Sequence, residues 1–98
     1  MLEKTKELLE IFEGVCDNYE KYRMPLRADV YARLTDIQEF IEQLLGMLTD
    51  GQMQQDVMGI LQDMLAALEQ EDEVLLYDAL RYGLLEYMKA VAEILGEE

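Results

Sequence analysis

Between Arg33 and Arg81 the chain carries no lysine, arginine or histidine, yet it holds eleven carboxylates: Asp36, Glu39, Glu42, Asp50, Asp56, Asp63, Glu69, Glu71, Asp72, Glu73 and Asp78. Apolar residues recur through the same stretch at helical spacing. The middle of the chain is therefore helical, strongly acidic and unable to pair its charges locally. Like charges repel, so such a chain folds only if apolar burial offsets the repulsion or a cationic partner relieves it.

Burial is available. Apolar residues make up 51% of the chain, unlike a disordered acidic tail, and 98 residues suffice for one domain with one core. The net charge of −14 argues against DNA or RNA, because binding a phosphate backbone depends on lysine and arginine displacing counterions. Cys16 is the sole cysteine, so no intramolecular disulfide forms, and its place in an apolar stripe reads as a buried thiol. Glu3, Glu7 and Glu10 interrupt any signal-like start, and no stretch approaches the ~20 apolar residues that cross a bilayer. The expectation is a soluble cytoplasmic protein with neither membrane nor nucleic acid as partner.

Four helical segments are expected, at about residues 2–22, 26–48, 52–69 and 73–96. The first carries Thr5, Leu8, Leu9, Phe12, Val15, Cys16 and Tyr19 on one face, and Pro25 ends it. In the second, Val30, Leu34, Ile37, Ile41, Leu44 and Leu48 alternate steps of four and three. Thr49 and Gln52 match a capping box, and Gly51 suits a left-handed turn that closes the second helix. A broad apolar face from Met53 to Leu68 marks the third segment, and the acids after Gln70 suit the N-terminus of the fourth. With nothing reading as a strand and short turns between segments, the expected architecture is all-α: an antiparallel four-helix bundle, up-down-up-down. The alternative is a pair of hairpins that dimerises by exchange.

Catalytic chemistry has little to stand on. Histidine and serine are absent, which removes the commonest general base, the commonest transition-metal ligand and the serine nucleophile. There is no Cys-x-x-Cys zinc pattern, glycine-rich phosphate loop or Glu-x-x-His pair, and Asp50-Gly51 lacks the alternating oxygen ligands of a calcium loop. A protein with no enzymatic activity, no metal and no cofactor is expected.

Two surfaces remain as candidates for partners. Met53 and Met58, with Met47 and Met64, line the third segment, and methionine both fills irregular cores and lines grooves that accept amphipathic helices. With Leu80 as the centre of the fourth segment's buried face, Leu75, Asp78, Tyr82 and Leu85 form an outward stripe suited to self-association or partner capture.

The run Asp72-Glu73-Val74-Leu75-Leu76-Tyr77-Asp78-Ala79-Leu80-Arg81-Tyr82 resembles an Asp-x-Val-Leu-Leu-x-Asp-x-Leu-x-Tyr signature of small, uncharacterised all-helical proteins of Gram-positive, clostridia-like bacteria. That resemblance covers the last helix and implies a helical fold without a mechanism. In size, acidity and helicity the chain is also similar to flagellar and type III export chaperones. The expected function is a non-enzymatic module that binds a basic or amphipathic helical segment of a partner protein. The alternatives are a structural homodimer and a nucleic-acid mimic, the latter drawing on the row Asp36, Glu39, Glu42 and Gln43. Because the acids repel in the compact state, the melting temperature should climb as salt rises from about 20 mM to about 500 mM, as the Debye length shortens to a few ångström. Thermal melts followed by circular dichroism check this, and an unchanged midpoint would show the charges to be already well spaced.

Overall fold

Helix α1 (Leu2–Tyr22) buries Thr5, Leu8, Phe12 and Cys16, a stripe at steps of three and four that turns one face inward. It belongs to a computed structural model that describes residues 2–96, in which every regular element is helical. Arg23 ends α1 in the left-handed region at φ 57°, its N–H still bonded to the Tyr19 carbonyl at 3.0 Å. Pro25 follows two residues later, in the non-helical link before the next helix.

The second segment breaks. Instead of one helix over 26–48 there are two, α2 (Arg27–Ala32) and α3 (Leu34–Met47), separated at Arg33 with φ −114° and ψ 13°. The Arg33 N–H reaches the Val30 carbonyl three residues back at 3.2 Å, tightening the turn. Tertiary ties account for the bend. The Leu26 N–H donates to Glu73 Oε2 at 2.9 Å and Arg27 pairs with Glu71 at 3.2 Å, so α2 is fixed at the start of the last helix while α3 follows the core. The apolar stripe survives the break: Val30, Ile37, Ile41 and Leu44 are all buried.

Helix α4 (Gly51–Gln70) starts one residue later than a Thr49 capping box requires. Asp50 is the N-cap, its carboxylate accepting from the N–H groups of Gln52 and Met53 at 2.8 and 3.4 Å. Gly51 lies inside the first turn of α4 with no positive φ, so it makes no left-handed turn. That conformation falls instead on Glu71 at φ 57°, where the Asp72 N–H returns to the Ala67 carbonyl at 2.9 Å in a Schellman arrangement. Asp72 then caps the next helix through the Leu75 N–H at 3.0 Å.

From Glu73 to Gly96 runs one unbroken helix made of α5 (Glu73–Ala79), a π-helical turn (Leu80–Leu84) and α6 (Leu85–Gly96). Counting that run once, the described residues form five helices, where the sequence led to an expectation of four. The long final helix runs antiparallel to α4, since Gly83 lies against Ile60 while Tyr87, four residues later, meets Asp56, four residues earlier. Antiparallel packing holds against α1 too, with Arg81 beside Asp17 and Tyr77 beside Glu20. Helix α3 crosses the beginning of α1, where Lys4 pairs with Asp36 at 3.2 Å. Phe12, Ile37, Ile41, Met64, Leu80 and Met88, one or more from each of these helices, share the core.

Ile41 keeps about 1% of its surface exposed at the middle of the α3 stripe. Ile41→Ala should therefore destabilise the fold by about 2–5 kcal/mol through lost burial and a residual cavity. Urea melts measure the loss, and a value below about 0.5 kcal/mol would mean that the site collapses without cost.

Candidate interaction surfaces

The π turn decides which residues of the last helix face outward. The Leu85 N–H bonds to the Leu80 carbonyl, five residues back. In an unbroken α-helix the fifth residue sits about 140° around the axis, whereas a π turn brings it back toward the same face. Leu80, Leu84, Leu85 and Met88 are consequently all buried. The outward assignment of Leu85 is corrected: its exposure is 0%, and it belongs to the core. Leu75 is half-buried against the core, while Asp78 and Tyr82 are exposed.

Tyr82 belongs to a cluster that spans two helices. Tyr19 of α1 stacks on Tyr77 of α5 with centroids 5.0 Å apart, and Tyr82 meets Tyr77 edge-on at 6.0 Å. The Tyr77 hydroxyl donates to Glu20 Oε1 at 2.6 Å. Arg81 reaches both Asp17 and Glu20 at 3.5 Å, and the Arg23 guanidinium lies 5.6 Å from the centroid of the Tyr19 ring. Sequence reasoning missed Tyr19, Tyr77, Glu20 and Arg81 as a group. Both tyrosines occupy positions that read as ordinary buried stripe, and their pairing across antiparallel helices leaves no mark in local spacing. Of the three tyrosines, Tyr82 projects furthest, with 69% of its surface exposed.

Two groups near the cluster are shifted. The hydrogen bond to Glu20, followed by desolvation, holds the Tyr77 hydroxyl well above the usual tyrosine range. Burial pushes the Cys16 thiol up to about 11, the nearby Arg81 opposing the rise only in part.

The methionines do not converge on one groove. Met64 is buried. Met53 sits over a hollow shared with Glu86, Tyr87 and Ala90, whereas Met58 edges a shallow depression of about 410 Å³ with Gly51, Gln54, Gln55, Gly59 and Gln62. Five residues separate Met53 from Met58, which puts them about 140° apart on α4. Of the acid row on α3, Asp36 is drawn to Lys4 at 3.2 Å and Arg33 at 4.0 Å, leaving Glu39 and Glu42 exposed. Between α1 and α3 a hollow of about 90 Å³ is lined in part by Thr5, whose hydroxyl is buried without a protein partner among the described residues.

Among the described residues no group of three or more His, Cys, Asp or Glu side chains could hold a metal ion. No described helix is long and apolar enough to cross a membrane. No protein family, no curated protein and no solved structure matches the chain.

The shifted thiol fixes an alkaline limit. The folded Cys16 pKa, about 11, lies above its ordinary value of 9.0, so the folded state holds that proton more tightly than the unfolded state does. The stability linked to it is complete below pH 9.0 and is lost as pH rises through about 11. Cys16→Ala should lower the melting temperature at pH 7 and yet flatten its fall between pH 9 and 11 relative to the wild type. Melts across that range check the slope, and parallel slopes would remove Cys16 from the account.

Proposed function

We propose that the chain is a non-enzymatic interaction module that captures a basic, helical segment of another protein at the Tyr82–Asp78 surface. The observation that carries this reading is that the cluster already holds cations of its own chain in two ways. Arg23 lies over a tyrosine ring, and Arg81 sits between two carboxylates. A partner arginine presented to the outer face of Tyr82, with exposed Asp78 on the preceding turn of the same helix, would meet the same chemistry. Leu75 extends that side of the helix by a further turn and supplies a half-buried apolar shoulder.

The whole-molecule field supports the same class of partner. With a net charge of −14, the protein raises the rate at which basic segments arrive and repels acidic ones. Export-chaperone-like holding of a partner helix, or regulation of that partner by sequestration, are the roles such capture would serve.

A fluorescently labelled, amphipathic arginine–leucine helix is the probe. The wild type should bind it saturably, with an affinity that falls as salt rises. Tyr82→Ala together with Asp78→Asn should weaken binding about tenfold, equivalent to ~1.4 kcal/mol, while leaving helicity intact. Equal affinity for the wild type and the folded double variant would overturn the assignment of the surface.

A further inference from the structure

One side of α4 is unlike the rest of the surface. Gly51, Gln55, Met58, Gln62, Leu65 and Glu69 follow steps of four, three, four, three and four, the 3.5-residue repeat of a helix that packs lengthwise against another. Met58 and Leu65 are each 39% exposed on this strip, whereas a face about 120° around α4 buries Val57, Met64 and Leu68. The strip carries no charge from Gly51 to Leu65, and Asp56 and Asp63 project from the other flank of the helix. At Gly51 and Gly59 a Cβ would meet nothing within 4 Å, so the helix backbone lies open to close approach.

We infer that this strip is the contact between two copies of this chain, paired α4 against α4. Charge selects the occupant. The chain carries 22 acidic and 8 basic side chains, so two copies approaching through most faces would set carboxylate against carboxylate. Here they touch through glutamine, methionine, leucine and glycine, whose amides can pair and whose apolar groups are buried by the contact. A basic helix would find no carboxylate on the strip before Glu69.

Direction follows from the two ends. A parallel pair would bring Glu69 against Glu69, and Asp50 against Asp50. An antiparallel pair parts the two Glu69 side chains and sets each across from Gly51 of the other copy, one residue from an Asp50 carboxylate already held by the Gln52 and Met53 N–H groups. In that register Met58 meets Gln62 of the second copy, and Gln55 meets its Leu65. The contact lies on a different helix from Tyr82 and Asp78 and does not depend on the proposed capture of a basic segment.

Sedimentation velocity tests the pairing, in about 0.5 M salt to screen the net charge and from about 1 µM to about 1 mM protein. The sedimentation coefficient should rise with concentration toward that of a dimer. Met58→Glu, at an exposed position that leaves the fold intact, should hold it at the monomer value, and Tyr82→Ala should not. Under mild oxidation, Met58→Cys mixed with Gln62→Cys should yield a disulfide-linked heterodimer, whereas Asp56→Cys mixed with Asp63→Cys should not. A monomer at every concentration would overturn the inference. So would a dimer that both Met58→Glu and Leu65→Glu leave unchanged.

Discussion

The Leu85 N–H reaches back five residues to the Leu80 carbonyl, and that bond sets the phase of the helix that the other elements pack around. A regular α-helix through this point would turn Leu85 toward solvent and give the last helix one apolar face. The π turn returns Leu84 and Leu85 inward together, and both are buried. The helix can then meet α1 on one side and α4 on the other. Gly83 lies in the same turn, and a Cβ there would stand 2.9 Å from Ile60 Cγ1, so the missing side chain is what lets this turn approach α4 so closely.

The acid stretch is accommodated by distribution. Asp50 and Asp72 cap helices, Glu73 binds the Leu26 N–H, and Asp56 accepts from the Tyr87 hydroxyl. Asp36 and Glu71 find cations from outside the stretch or at its border. Glu39, Glu42, Asp63, Glu69 and Asp78 stand exposed, where water and salt screen them. Backbone and hydroxyl donors thus replace the lysines and arginines that the stretch lacks, while a continuous apolar core opposes the remaining repulsion.

That distribution separates two kinds of surface. Around Tyr19, Tyr77 and Tyr82, aromatic faces and carboxylates lie close enough to hold guanidinium groups. Along the outer flank of α4, charge is absent from Gly51 to Leu65 and side chains are small or flexible. In the proposed readings the first surface takes a cationic partner and the second takes a second copy of the chain, and their placement on different helices would allow both to be occupied at once.

Helical periodicity alone settled much of the architecture. The stripes Thr5–Leu8–Phe12–Cys16 and Ile37–Ile41–Leu44 are legible because a helix repeats every 3.6 residues and burial follows that repeat. The boundaries of the first, third and fourth segments fell within a residue or two for the same reason, since Pro25 and the acidic turn at 71–72 are local signals. Three features were beyond local reading. The break at Arg33 arises where Glu73, distant in sequence, holds the Leu26 backbone. Nothing in the sequence around Leu80–Leu84 announces a π turn, so Leu85 was assigned to the wrong side, and the tyrosine cluster was invisible because α1 and α5 meet only on folding. Local sequence fixes where a helix forms and which of its faces is apolar. Packing against distant helices decides where that helix bends, how its later turns are phased, and which side chains from separate elements share a surface.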